Sequence, residues 1–185
     1  MRGWRRALLI PMSASLLVRL DARDRALMAR CAMATSSSRR SRLAWTAVTH
    51  LGGTGPSMLA AALPWFHCCA LHTASELALT TLVVSHLAVQ LVKRGVVRGR
   101  PARAGFPRAL VTEPDRFSFP SGHAAAAMSV ALGYGVTYPV LALPLLGLAL
   151  LVGFSRVRLG VHFPGDVLAG DLIALTTAGL VLALS

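Results

Sequence analysis

A histidine and an aspartate stand four residues apart in Ser155–Asp166, a charged stretch between two apolar runs. If the chain is helical there, His162 and Asp166 share one face. A carboxylate that accepts a hydrogen bond from one imidazole nitrogen fixes the tautomer and leaves the other nitrogen free to attack. An alternative is that Asp166 only favours the start of the following helix. The pair is a candidate nucleophile with its orienting group.

A second cluster, Phe119–His123, precedes an alanine-rich run. Proline suits the first turn of a helix, and Ser121 and Gly122 leave backbone N–H groups that point outward. These donors and the positive end of the helix dipole form an anion site, with His123 beside it. An ordinary helix start with a histidine at the membrane interface is the alternative reading.

A third cluster, Lys93–Pro101, follows an apolar segment. Lys93 and Arg100 are seven residues apart and can converge on one anion, because lysine supplies a point charge and arginine a planar fork that matches phosphate oxygens. A positive flank that anchors a helix end is the alternative. Since all three clusters fall at span ends on one side of an alternating topology, their combination favours a single anion-binding site.

Apolar segments separate these clusters and must position them. Of the 185 residues, 55% are hydrophobic and 14% are charged, against about a quarter charged in soluble domains. Five segments of roughly 16 to 20 residues have the length that crosses a hydrocarbon core. They are about Pro56–Leu71, Ser75–Val92, Pro120–Val136, Pro139–Phe154 and Pro164–Leu184. We expect an all-α integral-membrane helical bundle with about five transmembrane helices.

The amino-terminal part of the chain differs from the rest. Residues 1–42 are rich in arginine and contain two aspartates, and Leu16–Met33 intersperses apolar residues with arginines. This pattern predicts an amphipathic helix lying on an anionic leaflet; a partly disordered basic tail is the alternative. We therefore expect a basic interfacial segment over 1–42 and a transmembrane domain over 43–185.

The formal net charge of +12 bears on partners and on orientation. Nucleic acid fits poorly as a partner, because the arginines alternate with long apolar runs. All 19 Lys and Arg residues fall in Met1–Arg42, Lys93–Arg116 or Arg156–Arg158. With five spans these regions share one side, and the positive-inside rule places that side in the cytoplasm. We expect a protein of the bacterial inner membrane with its site on the cytoplasmic face.

The three clusters together resemble the motifs of the type 2 phosphatidic acid phosphatase superfamily. The matching residues are Lys93-x6-Arg100-Pro101, Pro120-Ser121-Gly122-His123 and Ser155-Arg156-x5-His162-x3-Asp166. All three motifs are intact and in order, and the match covers about residues 93–166. The superfamily includes lipid phosphatases, glucose-6-phosphatase and vanadium haloperoxidases.

The resemblance implies a role for each motif residue. His162 would form a phosphohistidine, Asp166 would orient it, and His123 would act first as general acid and then as general base. The residues that would hold the phosphoryl group are Lys93, Arg100, Ser121, Gly122 and Arg156. Phosphoryl transfer needs mainly positioning and electrostatic stabilisation, which arginines can supply, so we expect no metal and no cofactor.

The expected activity is hydrolysis of a lipid-linked phosphate within the bilayer. A polyprenyl-phosphate derivative, phosphatidic acid or phosphatidylglycerophosphate would fit, and the sequence does not choose among them or fix an oligomeric state. Two other hypotheses are a non-catalytic lipid-phosphate binder or transporter and a vanadate-dependent haloperoxidase. The five apolar segments disfavour the haloperoxidase, because those enzymes are soluble.

Overall fold

The computed structural model describes residues 14–34, 36–67, 71–113 and 115–184. Within these ranges the regular structure is helical, apart from one isolated bridge between Gly99 and Phe117. The α-helices are α1 (Ala14–Cys31), α2 (Arg39–Leu51), α3 (Thr54–His67), α4 (His72–Gly95), α5 (Gly122–Thr137), α6 (Pro139–Arg158) and α7 (Pro164–Leu184), and a short 3-10 helix covers Pro101–Ala104. The predicted all-α class is confirmed.

Helices α3 to α7 form a bundle in which successive helices run in opposite directions. Near the end of α5, the Tyr134 hydroxyl lies 3.0 Å from the hydroxyl of Ser75 at the start of α4 and donates to the Ala60 carbonyl in α3 at 2.9 Å. Further along, Ser85 of α4 meets Ser129 of α5 at 2.8 Å. This alternation brings the end of α4, the starts of α5 and α7, and the end of α6 to one end of the bundle.

Helix α5 lies at the centre of the bundle, where small residues allow close packing. A Cβ atom added to Gly133 would lie 2.4 Å from the Cα of Ala78 in α4, and one added to Gly170 of α7 would lie 2.4 Å from the Ser121 carbonyl oxygen. Neither approach tolerates a side chain. The glycines therefore set how closely α4 and α7 pack against α5.

Three of the described helices are long and apolar enough to cross a membrane by length and composition, namely α4, α6 and α7. Helices α3 and α5 have only 14 and 16 residues, which at 1.5 Å per residue is less than the roughly 30 Å hydrocarbon core. The helices correspond to the five predicted segments, and the protein is an integral membrane protein.

The amino-terminal part packs against the bundle. The predicted helix over Leu16–Met33 corresponds to α1, while the first 13 residues of the predicted 1–42 segment lie outside the described residues. Met28 of α1 is fully buried against a cluster that contains Phe163, so one face of α1 covers the end of α6 and the start of α7. Helix α2 runs across residue 42. The boundary between a basic segment ending at residue 42 and a transmembrane domain starting at residue 43 stays a prediction, as does the position of α1 at the membrane interface.

Candidate active site

The imidazole of His162 lies in the turn between α6 and α7, with 1% of the residue exposed. Its Nδ1 is 2.6 Å from the Ser118 carbonyl oxygen. Because a carbonyl only accepts, Nδ1 carries the proton and Nε2 is the unprotonated nitrogen. Burial, together with the charge of Arg156, lowers the pKa of His162 to about 4, although Asp166 acts in the opposite direction. At neutral pH the ring is an unprotonated base with Nε2 available for attack.

The carboxylate of Asp166, in the first turn of α7, is fully buried. One oxygen accepts from Arg98 at 2.6 Å, and the other accepts from the Ser118 hydroxyl and from the Phe163 N–H at 2.9 Å. The distance from Asp166 Oδ2 to His162 Nδ1 is 3.7 Å. The expected direct hydrogen bond is therefore replaced by the Ser118 carbonyl, because His162 lies in a turn and not on the helix that carries Asp166. Asp166 acts on the imidazole through its charge and through Ser118.

Lys93 and Arg100 converge on one carboxylate, that of Asp115. Lys93 Nζ is 2.5 Å from one oxygen and an Arg100 nitrogen is 2.9 Å from the other. Burial alone would raise the pKa of Asp115, but the hydrogen bonds and charges of Lys93 and Arg100 hold it below its usual value. A second guanidinium nitrogen of Arg100 lies 3.5 Å from His162 Nε2. The two cations thus converge on a carboxylate of the protein beside Nε2 of the histidine, and their binding of a phosphoryl group stays a prediction.

The start of α5 presents backbone donors to the same region. Helix α5 begins at Gly122 after Ser121, whose side chain makes no capping hydrogen bond. The Ser121 hydroxyl is buried and has no hydrogen-bond partner among the described residues. The Ser121 N–H donates to the backbone carbonyl of Asp166 at 2.9 Å. The uncapped first turn and this hydroxyl are free to bind an anion next to His123.

Arg156 of α6 is 2% exposed. One guanidinium nitrogen donates to the Thr49 hydroxyl at 2.8 Å. Its Nε and other terminal nitrogen have no hydrogen-bond partner in the described ranges. Unpaired buried donors on a charged group cost free energy, so the site keeps cationic donors ready for an anion.

A cavity of about 500 Å³ opens beside both histidines of the site. Its polar end is lined by Lys93, Asp115, His123 and His162. The remainder is lined mainly by α3 and α4, with apolar side chains from Met58, Leu82, Val83 and Leu87. Three of these four apolar residues are exposed on the outer surface of the bundle. The cavity therefore joins a polar, histidine-containing end to the apolar surface that faces the membrane.

A comparison with protein families decides the classification. Residues 74–185, which contain all three motifs and the cavity-lining part of α4, match the sequence profile of the PAP2 superfamily. The chain belongs to the PAP2 superfamily. The family predicted from the three motifs is confirmed.

Several curated PAP2 relatives act on lipid-linked phosphates by name. The decaprenylphosphoryl-5-phosphoribose phosphatase of Mycobacterium tuberculosis is 36% identical over 102 residues, covering 53% of this chain and 54% of that protein. The lipid A 1-phosphatase of Rhizobium johnstonii is 33% identical over 95 residues, covering 49% of this chain and 39% of that protein. The chain thus spans about half or less of the length of these relatives.

A solved PAP2 structure resembles this fold along most of both chains. The crystal structure of a transmembrane PAP2-type phosphatidylglycerolphosphate phosphatase from Bacillus subtilis superposes with a TM-score of 0.70 at 26% sequence identity. The similarity covers 90% of this chain and 86% of that one. The helical membrane architecture is therefore shared beyond the motif region.

The structure brings all eight predicted PAP2 site residues to one end of the bundle. Sequence reasoning missed residues that hold them, namely Asp21, Asp24, Thr49, Arg98, Asp115 and Ser118. Arg98 lies inside the Lys93–Pro101 cluster but received no role of its own, and Asp115 lies in the loop after that cluster. The others carry no motif signal. Among the described residues, no group of three His, Cys, Asp or Glu side chains is placed to hold a metal ion; metal independence stays a prediction.

Proposed function

We propose that this protein is a membrane phosphatase that hydrolyses a lipid-linked phosphate through a phosphohistidine. The observation that carries the proposal is the cavity, which has two histidines and a lysine at one end and exposed apolar side chains of α3 and α4 at the other. Such a cavity matches an amphiphile whose phosphate is bound among cations while its tail stays in the bilayer.

The geometry supports a two-step transfer. His162 Nε2 donates its lone pair to phosphorus, the P–O bond to the leaving group breaks, and His123 gives a proton to the departing oxygen. His123 then takes a proton from water, which attacks the phosphohistidine, and the P–N bond breaks to restore His162. Arg100, Arg156 and the first turn of α5 stabilise charge on the equatorial oxygens.

The substrate class is a phosphate monoester or diphosphate on a lipid. The relatives' names cover a polyprenyl phosphosugar, lipid A and a glycerophospholipid, which leaves the head group open. The loop that joins α5 to α6, at the end away from the site, is short and forms no soluble domain. This favours a substrate whose lipid tail remains in the membrane. A polyprenyl-linked phosphosugar is our first choice, because a decaprenylphosphoryl-5-phosphoribose phosphatase matches 53% of this chain.

The purified protein in detergent is expected to release inorganic phosphate from lipid phosphates in the presence of excess EDTA, because arginine and lysine occupy the places where a metal would otherwise offset charge. Vanadate is expected to inhibit it, since vanadate adopts the five-coordinate geometry of the transition state. Phosphate release over a panel of polyprenyl, phosphatidyl and phosphatidylglyceryl phosphates measures both effects.

Two matched comparisons make this assay decisive. Sulfate, a tetrahedral anion that stays four-coordinate, should inhibit far less than vanadate at equal concentration. A water-soluble ester with the same head group but no tail should react at least about 100-fold more slowly in kcat/KM, since the apolar contacts are lost. Loss of activity in EDTA that added magnesium restores would contradict the mechanism, and equal rates for the tailless ester would contradict the lipid substrate.

We infer further that the site faces the cytoplasm of a bacterial inner membrane. The described Lys and Arg residues lie in α1, α2, the segment from Lys93 to Arg116, and the last turn of α6. These regions meet at the site end of the bundle. Ten of the 19 basic residues precede residue 43, where no phosphate-binding motif accounts for them, so the positive-inside rule supports this orientation.

Reporter fusions test the orientation. Alkaline phosphatase joined after Leu184 is expected to be active, because five spans place that end outside, whereas a fluorescent protein at the same position should be dark. The matched control joins the same reporters after Gly160, in the turn at the site end, where the pattern should reverse. Cytoplasmic fluorescence of the Leu184 fusion would overturn the orientation.

A further inference from the structure

Among the contacts of the amino-terminal helix α1 with the catalytic end of the bundle is an ionic one to a buried arginine, Arg98, which is 4% exposed. Its guanidinium lies 2.6 Å from Asp166, 2.7 Å from Asp24 and 3.1 Å from Asp21. It also stacks 4.1 Å from the centre of the Phe163 ring. Helix α1 therefore supplies two carboxylates to a group that is in direct contact with the predicted orienting aspartate.

Arg98 is also connected to the other partner of His162. Its backbone carbonyl accepts from the N–H of Ser118 at 2.9 Å. Ser118 in turn bonds to His162 Nδ1 through its carbonyl and to Asp166 through its hydroxyl. A shift of Arg98 would therefore move both groups that fix the imidazole.

Asp24 has a second contact, with the helix that carries Asp166. Its Oδ1 accepts from the Gly165 N–H at 2.7 Å, while its Oδ2 faces Arg98. A Cβ atom at position 165 would lie 2.9 Å from the Asp24 carboxylate, so a side chain there would displace that carboxylate. Asp24 thus ties the first turn of α7 to Arg98, one residue away from Asp166.

The charges around Arg98 do not balance. Three carboxylates face two arginines: Asp21 pairs with Arg25 at 2.7 Å as well as with Arg98, whereas Asp166 and Asp24 share Arg98. Asp166 is fully buried and Asp24 is 11% exposed at its side chain. Because Asp24 draws on the same cation, Asp166 keeps more of its negative field at His162 than it would in an isolated ion pair. That field stabilises positive charge as the imidazole bonds to phosphorus.

We propose that Asp24, assisted by Asp21, is a positioning residue for the phosphatase reaction and acts through Arg98 on Asp166 and His162. The proposal rests on the proposed function of this site. Neither aspartate lines the cavity, so they affect the nucleophile without binding the substrate. Helix α1 is then part of the working enzyme, in addition to any contact that it makes with the membrane surface.

Single and double substitutions in the full chain test this proposal. Asp24→Asn keeps the shape but removes the charge, and we expect kcat to fall about tenfold with KM within about twofold of wild type. Arg98→Gln should lower kcat further. The double variant should be no slower than Arg98→Gln alone, because an asparagine at position 24 can still accept from the Gly165 N–H and the lost charge acts through Arg98. The matched control is Arg23→Gln, an exposed charge on the same helix, which should keep wild-type kcat.

The outcomes separate a positioning role from a structural one. If Asp24→Asn lowers the melting temperature but leaves kcat unchanged, or if the effects of the two substitutions multiply, the proposal is wrong. Arg98→Gln removes the partner of a buried carboxylate, so this variant can misfold. If it does, the kcat values of Asp24→Asn and Arg23→Gln alone decide between a positioning and a structural role. If the wild-type protein is active and Asp24→Asn has the same kcat, only this proposal is rejected. If the wild-type protein is inactive on every lipid phosphate, the proposed function is rejected as well.

Discussion

Replacing His162 with alanine is expected to lower kcat by at least about 10⁴-fold, the scale seen when a covalent nucleophile is removed. The imidazole is buried, its Nδ1 proton is held by the Ser118 carbonyl, and its free Nε2 lies 3.5 Å from Arg100. No other described histidine combines these features. Phosphate release and trapping of radiolabelled phosphate on the protein after rapid quenching measure the loss.

Two further variants give this prediction its controls. His123→Ala keeps the nucleophile but removes the proposed acid and base, so a substrate with a good leaving group should still phosphorylate it, and the phosphoenzyme should accumulate. His72→Ala changes an exposed histidine at the opposite end of the bundle and should behave as wild type. Full activity in His162→Ala, or equal labelling of that variant, would show that the nucleophile is another residue.

The helices of the bundle were predictable because the bilayer imposes their length and composition. The predicted segment Pro164–Leu184 coincides with α7, and Pro139–Phe154 begins with α6, which continues for one further turn. That extra turn carries Arg156 and Arg158, which a hydropathy pattern reads as the end of a span. Charged residues can extend a helix past the apolar core where protein, not lipid, surrounds them.

The motif residues were also predictable, but their partners were not. Arg98 lies 68 residues from Asp166 and 77 from Asp21, so no local spacing connects them. Asp115 lies in a loop whose sequence gives no period, yet it binds Lys93 and Arg100. Partners of buried charges are set by the packing of distant segments, which only the folded structure supplies.

Sequence reasoning also assigned α1 to the membrane surface on its apolar and basic residues alone. In the structure its two aspartates make the contacts that reach furthest into the site, and Met28 is buried against protein. In a segment this rich in arginine, two aspartates look like minor exceptions to the basic pattern. They become informative once a buried arginine elsewhere needs partners.

Replacing Arg156 with glutamine is expected to lower kcat/KM by about 10³-fold and to raise the melting temperature of the substrate-free protein. The loss follows from removing cationic donors that stabilise the transferring phosphoryl group. The gain in stability follows because Nε and one terminal nitrogen of Arg156 are buried without partners among the described residues, so an uncompensated charge is removed. Phosphate release and thermal unfolding in one detergent measure both.

The opposite signs of these two effects are what identify Arg156 as a binding residue. An arginine that only supported the fold would lose activity and stability together when replaced. Arg94→Gln is the matched control, since Arg94 is exposed in the last turn of α4 at the same end of the bundle, and neither quantity should change in it. Vanadate should also bind Arg156→Gln more weakly, because the guanidinium acts on the anion itself. A variant that unfolds at lower temperature and keeps its vanadate affinity would place Arg156 in the scaffold and leave the phosphoryl group to Lys93, Arg100 and the start of α5.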